Sequence, residues 1–258
     1  MAFRRLRIAL LVFVLITVAL FTWQQQARVA SWKETLPVEI YPINGDGSRD
    51  VDVYVAQLKT EAFAPIGAFL AREAKEYGLA LDPVVHISLQ KPLGSRPPEP
   101  PPASDRLAVL WWSLKLRYWV YRQVSNYSLR STTARVFVLY HKPTRNMVLR
   151  HSLGLRKGLV GVVHAFADVQ QQGPNNVVIA HELLHTFGAS DKYGPDNLPQ
   201  FPDGYGEPNR QPRFPQEWAE IMGGRVMVSV NEAKIPESLA QCLIGLKTAA
   251  EINWRRQP

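Results

Sequence analysis

The sequence predicts an α+β fold: one folded domain carried behind an N-terminal transmembrane helix. Three observations lead there. Strand-like and helix-like segments are interspersed along residues 37–258, with no internal repeat. A composition of 46% hydrophobic and 20% charged residues is ordinary for a globular chain and excludes wholesale disorder. One long apolar run near the start stands apart from the rest. At 258 residues the chain can bury one good-sized core, or two small ones.

That run, IALLVFVLITVALFTW from Ile8 to Trp23, follows MAFRRLR and has only Thr17 and Thr22 as mild polar interruptions. As a helix its sixteen residues span about 24 Å, a little short of a ~30 Å hydrocarbon layer. Leu6 and a snorkelling Arg7 narrow the gap. The preceding arginines favour a cytoplasmic N-terminus, and Trp23 suits the far interface. A cleaved signal peptide is the rival reading, but cleavage after Ala27 or Ala30 puts Gln25 or Arg28 where a small residue is wanted. The expectation is a single-pass membrane protein. Residues 1–23 form a signal anchor, 24–36 a polar tether, and 37–258 a domain on the extracytoplasmic side, periplasmic or extracellular.

The formal net charge is +8, of which Arg4, Arg5 and Arg7 supply three, leaving +5 for the remainder. That excess suits an anionic membrane surface, an acidic envelope polymer or plain solubility. No aromatic-basic recognition motif or zinc-finger spacing occurs, so no nucleic-acid partner is expected. The single cysteine, Cys242, permits no intrachain disulfide and leaves the redox compartment open.

Taken in order, PVEIYPI (37–43) reads as a strand ended by the turn cluster NGDGS. Residues 53–77 have helical spacing, with Leu58, Phe63, Ile66, Phe69 and Leu70 on one side, Pro65 as a kink or boundary and Gly78 as a stop. PVVHISL (83–89) is a second strand, and the proline-dense 90–105 an exposed, stiff loop. Residues 106–124 alternate like a strand in part, but their length and the cap position of Asp105 favour a helix. Its aromatics suit core packing, with a membrane interface as the alternative. ARVFVLYH (134–141) and GLVGVVHAFADV (158–169) are strands by β-branched and aromatic content. The basic run between them (Lys142, Arg145, Arg150, Arg156, Lys157) reads as a solvated connection. PNNVVIAHELLHTF (174–187) is a helix capped by Asn175 or Asn176 and ended by Gly188. Residues 189–216 are a long irregular segment of the kind usually kept for function, and a final helix runs from about Glu237 to Trp254.

The chemistry concentrates in HELLHTFGASD, residues 181–191. Residues four apart on a helix stack with Cβ atoms ~5–6 Å apart. The imidazoles of His181 and His185 can therefore converge on one tetrahedral ion, with Zn–N near about 2.0–2.1 Å. Glu182, one residue round, stands beside such an ion, where a carboxylate takes a proton from water and delivers it to a leaving amine. Two histidines leave the ion under-ligated. Gly188 allows a left-handed exit, a conformation that costs a Cβ-bearing residue ~1–2 kcal/mol. That turn brings Asp191 back towards the same ion, and two histidines, one aspartate and a water make an open catalytic site. A surface helix whose polar residues face water is the competing reading. The flanking cap, apolar run, glycine stop and spaced carboxylate argue against it.

HELLHTFGASD resembles the metzincin consensus H-E-x-x-H-x-x-G-x-x-H/D, and its aspartate variant is similar to snapalysin-type secreted bacterial proteases. The resemblance implies a zincin-like catalytic domain with a mixed twisted β-sheet, a zinc-binding active-site helix and a C-terminal helix. It further implies a zinc-dependent metalloendopeptidase acting on a protein or peptide. One zinc ion would be held by His181, His185 and Asp191, with Glu182 as general base and then acid. A methionine turn beneath the metal is implied too; AEIMGG offers Met222, and Met227 is a weaker candidate. By the same analogy GLVGVVHAFA is the edge strand along which an extended peptide pairs. The likeness is confined to residues 181–191 and 222, with coarse agreement over 38–255. Two departures matter. Aspartate replaces the family's usual third histidine, which acidifies a bound water less, and the 31-residue interval from Asp191 to Met222 holds an unusual Pro/Gly/Asp-rich loop.

Alternatives stay open. Glu207, Glu217 or Glu220 could supply the third ligand, with Asp191 behind it. Asp191, Asp196, Asn197, Asp203 and Glu207 are a weak calcium candidate without an EF-hand pattern. His164 and His86 read as hydrogen-bonded core residues, and His141 and His151 as solvated ones. Tyr193 and Tyr205 are candidate donors to a tetrahedral oxyanion. At the level of function, a non-catalytic envelope-binding module with a structural metal and a cell-wall peptide hydrolase compete with the peptidase.

Overall fold

The computed structural model describes residues 2–102, 104–124, 131–144, 149–156 and 158–254. Arg145 and Lys157 of the basic run lie outside them. Five strands make the central sheet: β1 (Leu36–Asn44), β2 (Val85–Leu89), β3 (Ala134–His141), β4 (Leu153–Leu155) and β5 (Val160–Phe166). Their spatial order is β2-β1-β3-β5-β4. The first four in that order run parallel, and β4 pairs antiparallel to β5 with Gly154 opposite Gly161. The sheet is thus mixed, as expected.

Helices cover both faces, which is why β3 is buried at every position from Ala134 to Tyr140 rather than in alternation. Successive side chains point to opposite faces. Tyr41, Ile43, Phe137, Leu139, Val160 and Val162 meet Trp112, Leu116 and Val120 of α4 (Arg106–Gln123). Val38, Ile40, Val136, Val138, Tyr140 and Val163 face the other core, built from α2 (Arg49–Gln57), α3 (Ala64–Glu76) and α5 (Gln172–Phe187). Asp105 caps α4 as its position suggested, its carboxylate accepting from Ala108 N–H at 2.9 Å.

Several expectations need correction. Residues 53–77 form two helices, parted by a 3-10 turn at Thr60–Phe63. Pro65 sits in the first turn of α3, where its missing N–H is not needed. GLVGVVHAFA is not the edge strand: β5 lies between β3 and β4, and β4 is the edge. This three-residue strand hides in a connection whose basic residues mask it. The last helix, α6, spans only Leu246–Glu251. Ahead of it Cys242–Leu243 pairs in parallel with Ala219–Glu220, so the chain there is extended where a helix was expected.

The N-terminal expectation is also overturned. Helix α1 spans Ala2–Ser31 and so continues through most of the expected tether. Among the described residues, no helix is long and apolar enough to cross a membrane. The apolar run has sixteen residues where a span needs about 20, and it passes directly into Gln24, Gln25, Gln26 and Arg28. Neither a transmembrane helix nor a single-pass location on the far side of a membrane is supported. Instead the end of α1 is docked on the domain. Val29 and Trp32 are buried. The Trp32 ring stands edge-on to Phe187 at 5.2 Å and Trp254 at 5.5 Å, and its Nε1–H donates to the Ile252 carbonyl at 2.6 Å. Phe187 is the last residue of α5, so this contact ties three segments together. Trp32→Ala is expected to destabilise the domain by about 3–5 kcal/mol in a urea titration. A loss below about 1 kcal/mol, the range of an exposed substitution, would show that the docking lies outside the cooperative core.

Candidate metal centre

Helix α5 is buried along most of its length because it threads between the sheet and the C-terminal segment. Val177, Ile179, Ala180, Leu183, Leu184 and Phe187 are all buried. The two asparagines expected to cap it lie inside it. Asn175 accepts from Phe166 N–H at 3.0 Å and donates to Phe166 O at 2.9 Å, clamping the helix to the end of β5. Asn176 donates to Ala62 O at 2.8 Å. On the sheet side β4 lies directly against the histidine turn. A Cβ at Gly154 would come within 2.4 Å of both the Glu182 carbonyl and the His185 Cβ, so only glycine allows this approach. At the far end Gly188 ends the helix at φ +118°, its N–H donating to Leu184 O and His185 O. The left-handed exit expected there is present.

Past that exit the chain folds back and places Asp191 beside both rings. Asp191 Oδ1 lies 3.1 Å from His181 Nε2 and 3.1 Å from His185 Nε2. The two Nε2 atoms are themselves 3.1 Å apart. The other ring nitrogens decide what this triangle means. His181 Nδ1 is 2.9 Å from the Ile221 carbonyl, and His185 Nδ1 is 2.8 Å from the Ala189 carbonyl. A carbonyl only accepts, so both Nδ1 atoms carry the proton. A neutral imidazole then presents a bare lone pair at Nε2. With both rings neutral, two lone pairs and a carboxylate oxygen meet at one point, an arrangement that repels itself unless a positive charge, a proton or a metal cation, joins it. Ligand atoms at about 2.0–2.1 Å around a tetrahedral ion are about 3.3 Å from one another. The residues present therefore fit a divalent metal, and hydrogen-bonded Nδ1 atoms are the usual support of histidine ligands.

Glu182 completes the group. His181, Glu182 and His185 have ligand atoms within 4.8 Å of one another. Glu182 is buried, and its Oε2 has no hydrogen-bond partner. Burial pushes its carboxyl above the usual range, against the pull of His181 and His185. Asp191 goes the other way. Burial opposes its ionisation, but positive charge at the two imidazoles, here a ring proton in the place a cation would take, holds its carboxyl well below the usual carboxylate range. Tyr193 has its ring stacked 6.2 Å from that of His181. Burial and the neighbouring Asp191 carboxylate push its phenol up to about 12, so it stays a proton donor at neutral pH. Tyr205 is not brought to the centre; it packs against Phe201 and Phe214.

The alternative third ligands are engaged elsewhere. Glu220 is fully buried. Its Oε2 accepts from Met222 and Gly223 N–H at 2.6 and 2.8 Å, and its Oε1 from Thr248 Oγ1 and Gly245 N–H at 2.7 and 3.1 Å. That carboxylate shapes the turn around the buried Met222 and presents the Ile221 carbonyl to His181. Glu207 and Glu217 both bind Arg210. Of the calcium candidates, Asp196 accepts from Leu198 N–H in a local turn, and Glu207 accepts from Glu217 N–H. His164 is partly buried and bonded to His141 at 2.9 Å, whereas His86 is exposed on β2.

One supporting device was not foreseen. Residues 190 and 192, flanking Asp191, are both fastened to Glu251 of α6. Ser190 N–H and Oγ donate to it at 2.9 and 2.8 Å, and Lys192 Nζ at 2.7 Å. The lysine is only 6% exposed, so its ammonium needs this partner. Nothing in the local pattern points to Glu251, since it lies 60 residues beyond Asp191 in the chain.

No protein-family profile and no curated protein sequence matches the chain. Among solved structures, wild-type OgpA from Akkermansia muciniphila aligns with a TM-score of 0.37 and 11% identity, over 88% of this chain and 64% of that one. Catalytically inactive OgpA from the same organism, in complex with an O-glycopeptide (glycodrosocin) substrate, aligns with a TM-score of 0.35 and 11% identity, over 87% of this chain and 62% of that one. The chain thus spans less than two thirds of the length of each.

Glu251 also makes the Asp191 turn sensitive to acid. Burial works against its charge, but Lys192 and Ser190 hold its pKa below the ordinary 4.5. A folded pKa beneath the unfolded one means the stabilisation is complete above about pH 4.5 and is lost as pH falls through the folded value. Glu251→Gln is expected to lower stability by about 1–3 kcal/mol at pH 7, with the gap to wild type closing as the pH is taken below 4. Equal unfolding midpoints at pH 7 would remove the clamp from the account.

Proposed function

We propose that the chain is a zinc-dependent metallopeptidase of metzincin type, cleaving within proteins or peptides. The observation that carries this reading is the meeting of two imidazole Nε2 atoms and a carboxylate oxygen, all 3.1 Å apart, beside a buried glutamate with an unpartnered oxygen. His181, His185 and Asp191 would hold the ion. The spacing with aspartate as the third ligand is what aligns the chain with snapalysin-type proteases. When bound, zinc supplies a Lewis acid that polarises a carbonyl and acidifies water.

The chain's own residues account for the rest. Glu182 takes the proton of the attacking water on Oε2 and later gives it to the leaving amine nitrogen. Its raised pKa suits a group that must hold a proton between those two events. Tyr193, neutral and close to His181, donates to the oxyanion of the tetrahedral intermediate. The outer edge of β4 offers unpaired backbone groups beside the histidine turn, and an extended peptide adding there passes alongside Glu182. A purely structural metal would leave Glu182 without a role, and a buried unpartnered carboxylate is costly to keep.

Glu182→Gln should retain about one zinc per chain while kcat on a peptide substrate falls by about 10²–10⁴-fold. His185→Ala should lose the metal as well. Zinc content and hydrolysis assayed on the same samples decide the matter: unchanged turnover in Glu182→Gln, or full zinc binding in His185→Ala, contradicts the assignment.

A further inference from the structure

Helix α4 buries one face on the sheet and exposes large apolar side chains on the opposite face. Leu107, Leu110, Trp111, Leu114, Tyr118 and Tyr121 are each between 51% and 79% exposed. At 100° per residue these six positions fall within an arc of about 100°, a continuous apolar and aromatic stripe along a helix about 27 Å long. The buried Trp112, Leu116 and Val120 lie on the other side. By the same geometry Lys115 and Arg122 flank the stripe on one side, and Arg106 and Arg117 on the other. The helix contains no acidic residue. The Lys115 ammonium stands 5.7 Å from the Trp111 ring centroid, at the border of the stripe.

We infer that this face of α4 rests on a lipid bilayer carrying anionic headgroups, with the helix lying in the plane of the surface and crossing nothing. An apolar stripe bordered by cations on both sides is the pattern of an interfacial helix: side chains enter the acyl boundary while arginine and lysine meet headgroup phosphates and carboxylates. Tryptophan and tyrosine favour that depth because their rings are half polar. A second copy of the chain is a poorer occupant, since α4 against α4 sets four cations against four like charges in either orientation. The stripe lies on the face of the sheet opposite α5, so lipid there leaves the metal centre and the β4 edge accessible.

The test uses the full chain with a polarity-sensitive fluorophore on a single introduced cysteine. The natural thiol, Cys242, is buried and does not compete for the label. One sample carries Trp111→Cys, and a control carries Asn231→Cys at an exposed site away from α4. Vesicles of phosphatidylcholine with phosphatidylserine are compared with phosphatidylcholine alone. A blue shift at 111 but not at 231 is expected, stronger on the anionic vesicles and weakened by salt. Leu110→Ser with Leu114→Ser should weaken vesicle binding by about tenfold or more while leaving the unfolding curve of the free protein in place. Binding with no shift at 111 would overturn the proposal, because another surface would then touch the lipid. So would the absence of binding to anionic vesicles, or a shift that grows with protein concentration without vesicles, which would assign the stripe to a protein contact.

Discussion

Two backbone carbonyls set the character of the candidate metal centre. Ile221 and Ala189 each accept a hydrogen bond from an Nδ1–H, and in doing so select the tautomer of a neutral ring that leaves Nε2 bare. Everything else at the site follows from that constraint. With either carbonyl displaced, a ring could turn or its proton migrate, and the triangle of ligand atoms would become an ordinary hydrogen-bonded pair. The fold therefore invests in the two carbonyls. Ala189 follows the left-handed Gly188, so its position is set by the helix exit. Ile221 precedes Met222 in a turn held from beneath by the four hydrogen bonds of Glu220, which reach forward to Thr248 at the start of α6.

The short helix α6 thus supports the centre twice: through Thr248 it steadies the turn under His181, and through Glu251 it holds the loop that carries Asp191. This explains how six residues of helix suffice at the C-terminus. Its role is positional, and Trp254 beyond it closes the same core against Trp32 and α1. The N-terminal helix, the histidine helix and the C-terminal segment share one packed junction, which couples the rigidity of the site to parts of the chain distant in sequence.

What was legible in the sequence is what short-range physics writes there. The helical spacing of His181 and His185, the glycine exit and the strand content of 134–141 are local, and their elements appear within a residue or two of where they were expected. What was hidden depends on long-range contacts. Glu220 reads in the sequence as one candidate third ligand and Glu251 carries no local signal, until the fold brings Thr248 to the first and Ser190 and Lys192 to the second. Strand β4 has only three residues in a basic connection, so its pairing with β5 leaves no periodic trace. The asparagines at 175 and 176 carry the usual cap chemistry, yet tertiary bonds to Phe166 and Ala62 claim them and the helix begins earlier. The apolar N-terminal run has the composition, flanking arginines and interfacial tryptophan that suggest a span, whereas no described helix is long and apolar enough to cross a membrane and the end of this one is docked on the domain.

The central claim is that a cation, and not a proton, joins the two Nε2 atoms to Asp191. X-ray absorption at the zinc edge of the zinc-loaded protein tests it most directly. Two imidazole nitrogens with oxygen ligands in a four-coordinate shell near about 2.0–2.1 Å are expected. A shell made only of oxygen, or one lacking the outer-ring scattering of two imidazoles, would contradict the account.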